Sequence, residues 1–439
     1  MDKKIYPSKL NGEIRIPPSK SISHRSIICA SLADGVSRIE NMAYSDDIKA
    51  TIEAMEALGA SFEQEGNTLI VKGIKCDTER FRASEEKNSS VENVGTTLIN
   101  CRESGSTIRF IIPLLTLFDR EFEIKTEGKL LERPMFPYFD IFDREGILYR
   151  RSGRSLFIRG GKKIESRKIE IPGDISSQFI SGMMFLLPLM EGDSEIIITG
   201  NTESKAYIDL TVECLEKFGV KVENTDYRVF RIRGNQKYRS KNFSVEGDYS
   251  QAAFFAVADA LGNNVRMHGI EENSLQGDRK ILDILKNFGA EVEFCESALE
   301  VKEDKRRAYS FDGSEIPDIV PVTALLASLS EGTTVIRNIS RLKIKESDRL
   351  DATYTELEKL GADIKKGGDF LEIHGKKYLD GGVTVCSHKD HRIAMMLAIA
   401  STVCKEPITI TDSESVSKSY PNFWEDFGRL GGIYECYMG

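Results

Sequence analysis

Lysine, arginine, hydroxyl and carboxylate side chains recur in this sequence in short clusters. They are PSKSISHR (residues 18–25), ESGSTIRF (103–110), ISSQF (175–179), KIKESDRL (343–350) and KDHRIAM (389–395). ERPM (132–135), SKAYIDLT (204–211), PDI (317–319) and SKSYPNF (417–423) fall between and after them. Five sets sit where local pattern predicts a helix to begin: Lys20, Ser21 and Arg25; Ser104, Gly105 and Ser106; Ser176, Ser177 and Gln178; Lys345, Glu346 and Arg349; His391 and Arg392. Arg133, Ser204, Lys205 and Lys418 fall at the starts expected for a second set of helices. A helix N-terminus presents unpaired N–H groups and partial positive charge, which favour phosphate and carboxylate. Hydroxyls and glycine let backbone amides approach an anion, arginine offers a planar fork, and lysine a point charge. The implied ligand is strongly anionic, with more than one phosphate or carboxylate.

Each of these residues also has an ordinary role. Serine or aspartate at a helix start commonly does no more than cap it. Basic residues there oppose the helix dipole, yet Lys20, Arg25, Lys345, Arg349 and Arg392 all occur at equivalent points. Local rules broken together at matching places point to function. His24 and His388 read as surface or capping residues, and Gly105 equally as a site of close packing. The one His/Cys grouping, CSHKDH (386–391), has no second ligand pair and no HxxxH, so no metal site is expected. There is no P-loop and no GxGxxG after a strand, so nucleotide binding has no support.

What positions these clusters is a sixfold repeat. Each copy opens with a short strand, a polar turn and an apolar helix, then a second helix that stops at a glycine. The six glycines are Gly59, Gly146, Gly219, Gly289, Gly361 and Gly431, spaced 70 to 73 residues apart after a first interval of 87. Residues 82–93 (RASEEKNSSVEN), a charged connection, account for the longer interval. The fifth copy is the clearest. DIVPVTALLASLSEG reads as a buried helix ending near Gly332, TTVIRNI as a strand, and KESDRLDATYTELEKLG as an amphipathic helix with Leu350, Tyr354, Leu357 and Leu360 on one stripe. ADIKK and FLEIHG follow as a hairpin. The unit is βαβαββ, with an apolar first helix and an amphipathic second one. Six such units predict an α/β (α+β) protein in which sheets wrap around helices, three units closing each of two pseudo-threefold domains.

The opening segment KIYPSKLNGEIRIPPS reads as a strand pair with no preceding unit, so it completes a sheet begun elsewhere, by the unit ending YECYMG. The expected domains are therefore 20–245, and 1–19 with 246–439. The chain crosses twice, near residues 18–19 and 245, with a ligand cleft between the domains.

Composition bounds the rest. The 439 residues, 40% hydrophobic and 29% charged, suffice for two cores. A net charge of −9 disfavours nucleic acid or a membrane surface as the main partner. Eight scattered cysteines without CxxC read as reduced thiols of a cytoplasmic protein. No signal peptide opens the chain, and FISGMMFLLPLMEG is too short for a membrane span and reads as a buried helix.

The nine motifs quoted at the outset resemble, in order and at matching spacings, those of the 5-enolpyruvylshikimate-3-phosphate synthases. The resemblance covers essentially the whole chain. It implies the enolpyruvyl-transferase fold, an inverse α/β barrel in two three-repeat domains with the active site in the cleft. The implied reaction transfers the enolpyruvyl group of phosphoenolpyruvate to the 5-hydroxyl of shikimate-3-phosphate, without cofactor or metal. By the same resemblance Lys20, Asp318 and Glu346 are catalytic. Lys20, Ser21, Arg25, Ser176, Ser177, Gln178, Ser204, Asp318 and Lys345 hold shikimate-3-phosphate, the 20–245 domain supplying most of that side. Lys20, Gly105, Arg133, Gln178, Arg349, Arg392 and Lys418 hold phosphoenolpyruvate. The expected enzyme is a cytoplasmic monomer of aromatic amino-acid biosynthesis and a glyphosate target. Ser106 stands where the family commonly has threonine, Glu103 where it has asparagine and Phe110 where proline is frequent. Arg341 replaces an asparagine that some members use for the sugar acid, and is placed to contact the shikimate phosphate. The change at Glu103 leaves the herbicide response open.

The nearest rival is the enolpyruvyl transferase acting on UDP-N-acetylglucosamine. It lacks the SKSxxxR opening and carries a loop cysteine or aspartate; Cys101 here reads as strand core. A nucleic-acid end-processing enzyme is disfavoured by the net charge. A non-catalytic anion binder would not place carboxylates at Asp318 and Glu346.

Overall fold

The structure, a computed structural model, describes residues 1–74, 95–165 and 167–437; the charged connection at 82–93 lies outside the described residues. The chain divides into two compact units, Lys20–Val245 and Met1–Ser19 with Glu246–Gly439. Each has its own hydrophobic core and three four-stranded sheets among the described residues.

Helices of two kinds alternate. In Lys20–Val245 the first kind are Lys20–Leu32, Gly105–Leu114 and Ser177–Leu186, buried almost throughout. In the other unit they are Tyr249–Ala260, Val320–Ala327 and His391–Ser401, buried at every position. Their all-round apolar sequences fit an interior helix. The second kind, such as Asp46–Ala57 and Arg349–Lys359, bury one stripe only. The six periodic glycines after the second helices all have positive φ, from 65° to 109°, the left-handed conformation that ends a helix most cheaply in glycine.

The sheets repeat one pattern. Phe311–Asp312 runs parallel to Thr333–Arg337, which is antiparallel to Leu371–His374, itself antiparallel to Asp363–Lys366. The expected hairpin of the fifth copy is thus present. Along Thr333–Arg337, Thr334 and Ile336 are buried while their neighbours are not, so one face of the sheet covers the helices. The Val320–Ala327 helix stops before the expected Gly332. Ser330 N–H turns to the Ala327 carbonyl at 3.2 Å, and its Oγ takes the Leu326 carbonyl at 2.8 Å that a continuing helix would have used.

The opening strands do not pair with each other, contrary to expectation. Asp2–Tyr6 lies between Ile408–Thr411 and Ile433–Tyr437, antiparallel to both. Asn11–Arg15 runs parallel to Asn264–His268 in a different sheet. The physical reason is the link at 7–10: Leu10 is buried, its N–H donates to Asn263 Oδ1 at 2.8 Å, and Asn11 N–H donates to the Leu430 carbonyl. Those bonds part the two strands. At each crossing the strand also stays with the unit the chain is leaving. Asn11–Arg15 precedes the Lys20–Leu32 helix yet belongs to the other unit, and Asn242–Ser244 precedes Tyr249–Ala260 yet pairs with Val36–Glu40. The crossing segments are themselves paired, Ser19 N–H to the Glu246 carbonyl at 2.8 Å and Asp248 N–H to the Pro17 carbonyl at 2.9 Å.

Candidate active site

Within the unit containing Glu246–Gly439, the starts of helices of both kinds gather charge. Asp318 lies just before Val320–Ala327, Arg349 opens Arg349–Lys359, and Arg392 is in the first turn of His391–Ser401. Arg349 is 1% exposed and fully engaged. Nη1 donates to Asp318 Oδ1 at 2.8 Å, Nη2 to Glu346 Oε2 at 2.6 Å, and Nε to Asp390 Oδ2 at 2.9 Å. Lys345 Nζ is 3.5 Å from Asp318 Oδ1, and Arg392 Nη2 is 3.4 Å from Asp318 Oδ2. Arg392 is 2% exposed, and its Nε and Nη1 are buried without a hydrogen-bond partner.

The electrostatics follow from this packing. Burial pushes the Asp318 carboxyl up, but Lys345, Arg392 and Arg349 together hold it well below the usual carboxylate range. Burial, with Arg349 and Arg341 nearby, brings Lys345 down to about 8 despite Asp318. Arg341 is therefore close enough for its charge to act on Lys345. Arg349 and Arg392 remain charged, their carboxylate neighbours outweighing the cost of burial.

Glu346 is not in a helix, as expected, but in the turn before the Asp348 N-cap, and Lys345 follows the short helix Ser340–Ile344. Asp348 caps the helix through its bond from Asp351 N–H, which moves the helix start past both residues. Lys418 ends the short helix Ser413–Lys418, and its Nζ donates to the Lys389 carbonyl at 2.9 Å.

Within Lys20–Val245 the expected residues form three groups. Lys20 Nζ pairs with Asp47 Oδ2 at 2.9 Å. Arg25 is 2% exposed; Nε donates to Thr211 Oγ1, Nη1 to the Ser21 carbonyl and Nη2 to the Tyr207 carbonyl, at 2.8 to 2.9 Å, and the guanidinium lies 5.2 Å from the Phe110 ring. Burial brings Arg25 down to about 10. In the third group Gln178 is held at both ends, Oε1 by Arg109 Nη1 at 2.7 Å and Nε2 by Ser106 Oγ at 2.8 Å. Gly105 lies under Arg133, where an added Cβ would fall 2.9 Å from Arg133 Nη1 and 3.1 Å from Arg109 Nη1. Ser104 and Ser176 cap their helices by accepting from Thr107 and Gln178 N–H. Ser177 is buried at the start of its helix. Ser204 precedes Lys205–Lys217 with φ 55°, a strained conformation for a non-glycine residue of the kind found at functional sites.

Four residues escaped the sequence reading: Arg109, Asp278, Asp390 and Asp47. Arg109 and Asp390 lie inside quoted motifs, and an aspartate two residues before Arg392 was the available signal for Asp390. Neither histidine of the earlier reading fits it fully. His24 is sealed inside, Nδ1 2.7 Å from Thr51 Oγ1, and burial holds it well below the usual imidazole range. His388 pairs with the buried Glu356 at 2.8 Å. Among the described residues no group of three or more His, Cys, Asp and Glu side chains could hold a metal ion, and no helix is long and apolar enough to cross a membrane.

A family model described as EPSP synthase (3-phosphoshikimate 1-carboxyvinyltransferase) matches residues 5–427. The chain is 50% identical to a 3-phosphoshikimate 1-carboxyvinyltransferase of Clostridium botulinum, over 98% of both chains. It is 46% identical to one from Clostridioides difficile, over 99% of both. In fold it is similar to an EPSP synthase structure from Acinetobacter baumannii (TM-score 0.79, 24% identity, 100% of both chains). It also resembles the enolpyruvyl transferase NikO from Streptomyces tendae (TM-score 0.75, 17% identity, 99% of this chain and 98% of that one).

Proposed function

The chain belongs to the EPSP synthase family, a family of transferases, and we propose that it carries out that family's reaction with the helix-start residues described above. The reaction joins the enolpyruvyl group of phosphoenolpyruvate to the 5-hydroxyl of shikimate-3-phosphate and releases phosphate, in the pathway to aromatic amino acids. The observation that carries the residue assignment is Asp318 ringed by Lys345, Arg349 and Arg392, with two Arg392 donors unpartnered.

The hydroxyl loses its proton and adds to C2 of phosphoenolpyruvate while C3 takes a proton; the tetrahedral intermediate then gives up a C3 proton and expels phosphate, restoring the double bond. Asp318 accepts from the ring hydroxyls. Held low by three cations, it is a weak base in the free enzyme. Anions bound to Lys345, Arg349 and Arg392 offset those cations, so its proton affinity rises once both substrates are present. Glu346 is the proton-transfer group at C3, and Lys20, beside both substrates, is the next candidate for that role. Arg349, Arg392, Arg133, Lys418 and Gln178, with the Gly105 backbone, hold phosphoenolpyruvate and the departing phosphate. Arg25, Ser21, Ser176, Ser177, Ser204 and Lys345 hold shikimate-3-phosphate, which Lys20 and Gln178 also touch.

Without anions the cations of the site repel one another, and bound anions offset that repulsion, so ligands favour a more compact state. Small-angle scattering should show compaction with shikimate-3-phosphate and an anionic analogue. The enzyme works as a cytoplasmic monomer, a reading supported by seven described cysteines that are all free thiols. The test of activity is phosphate release from phosphoenolpyruvate with shikimate-3-phosphate. Release with UDP-N-acetylglucosamine in its place, and none with shikimate-3-phosphate, would overturn the assignment.

A further inference from the structure

Three carboxylates converge on Arg392 from separate elements of one unit. Asp318 precedes Val320–Ala327, Asp248 caps Tyr249–Ala260, and Asp278 sits in the short helix Gly277–Lys280. All three act electrostatically on the guanidinium, with Arg349 opposing them. Lys345 and Arg349 also attend Asp318, but Arg392 is the cation that acts on the buried Asp278, so the cheapest arrangement leaves that carboxyl able to hold a proton.

Their partners differ. Asp318 has Lys345, Arg349 and Arg392. Asp248 Oδ1 accepts two backbone N–H groups, from Ser250 at 2.8 Å and Gln251 at 3.3 Å. Asp278, 3% exposed, has a hydroxyl on one oxygen, Ser250 Oγ on Oδ2, while Oδ1 is buried without a hydrogen-bond partner. The groups facing it are Asp318, Arg392 and Asp248. Burial, then Asp318, push its carboxyl up to about 7, against the Ser250 bond and Arg392.

We infer that Asp278 is coupled electrostatically to Arg392, and that its carboxyl takes up a proton from solvent when an anion binds that arginine. The inference rests on the assignment of Arg392 to phosphoenolpyruvate. An anion on Nε and Nη1 of Arg392 brings further negative charge toward Asp278 and offsets the cation that favours its ionised form. Protonation of Asp278 removes the repulsion between that carboxylate and the bound anion. Phosphoenolpyruvate binding is thereby tied to proton uptake, and it weakens as pH rises through the titration of Asp278.

The test is KM for phosphoenolpyruvate, at saturating shikimate-3-phosphate, between about pH 6 and pH 8.5 in four full-length proteins. In the wild type KM rises with pH, by at most about tenfold per unit for one linked proton. In Asp278→Asn, whose carboxamide mimics the protonated acid, that rise is flattened. The ionisation of phosphoenolpyruvate itself is common to both proteins, so the difference reads the enzyme. Ser250→Ala removes the bond that favours the ionised form, so its rise moves to higher pH. An Asp278→Asn profile parallel to the wild type overturns the proposal. If that variant does not fold, a Ser250→Ala profile superimposing on the wild type overturns it instead. Arg392→Ala reports on the premise separately: unchanged KM for phosphoenolpyruvate removes Arg392 from the site, and the proposal with it.

Discussion

Arg349 Nε donates to Asp390 Oδ2 at 2.9 Å, with the two side chains 1% and 0% exposed. Asp390 also caps the His391–Ser401 helix through Arg392 N–H at 2.9 Å and accepts from Ser347 Oγ at 3.1 Å. One carboxylate thus fixes the starts of two helices that carry Arg349 and Arg392. Without Asp390, Arg349 keeps its bonds to Asp318 and Glu346, but its buried Nε, the Arg392 N–H and Ser347 Oγ all lose their acceptor. Asp390→Ala should therefore cost about 3–5 kcal/mol of stability, read from urea unfolding. A loss below about 1 kcal/mol, the scale of an exposed pair, would count against this role.

Gly105 governs the placing of Arg133. A methyl group there would approach Arg133 Nη1 to 2.9 Å and Arg109 Nη1 to 3.1 Å, both far ends of flexible side chains. The fold should therefore tolerate Gly105→Ala while the guanidinium shifts. The expected result is a KM for phosphoenolpyruvate raised about tenfold, the scale of one weakened charge-assisted hydrogen bond. The melting temperature and the affinity for shikimate-3-phosphate should change little. An unaltered KM would show that Arg133 does not need its present position.

Glu346→Gln separates chemistry from binding. Arg349 keeps its bonds to Asp318 and Asp390 when the Glu346 carboxylate becomes an amide. The expected outcome is kcat lowered about 10²–10⁴-fold, the usual contribution of a general acid–base group, with shikimate-3-phosphate affinity near normal by calorimetry. A kcat close to that of the wild type would move the proton donor elsewhere, with Lys20 next.

Lys345 predicts an alkaline limit. Its pKa is brought down from 10.5 to about 8 in the folded protein, chiefly by burial. Between those values the unfolded chain holds a proton that the native protein has released, so this group makes stability rise with pH from about 8 to 10.5. Binding moves the opposite way: loss of the ammonium charge weakens shikimate-3-phosphate above about pH 8, by at most about tenfold per unit. Titration calorimetry from pH 7 to about 9.5 should show the decline in the wild type and its absence in Lys345→Met. Parallel curves would exclude Lys345 from the phosphate site.

The repeat was legible because each copy has the same local needs. Gly361 must end a helix and Thr334 and Ile336 must face inward in any arrangement of the copies, so period and alternation reveal them. Single-residue chemistry was legible where a charge opposes a helix start, as at Arg349 and Arg392. What stayed hidden depends on partners far apart in sequence. Arg109 and Gln178 are 69 residues apart, and nothing local to either says that one bonds the other. Asp278 lies in a short helix of ordinary composition and gains meaning only from the Ser250 hydroxyl bonded to it and the charge of Arg392. The parting of Asp2–Tyr6 from Asn11–Arg15 was hidden for the same reason, since Asn263 and Leu430, which separate them, lie more than 250 residues on.

The exchange of strands at the two crossings sets an order of events during synthesis. Lys20–Val245 has every strand of its three sheets once Asn242–Ser244 has left the ribosome, so it can close while the rest is still being made. Asp2–Tyr6 is translated first yet must wait, because both of its neighbours come from the last 32 residues. Asn11–Arg15 waits for Asn264–His268. For most of translation the nascent chain therefore carries a finished globule with an unpaired leading strand ahead of it. Such a strand edge is a template for wrong partners. Two lysines among its five residues, Lys3 and Lys4, supply the charge that discourages such pairing until its own partners emerge.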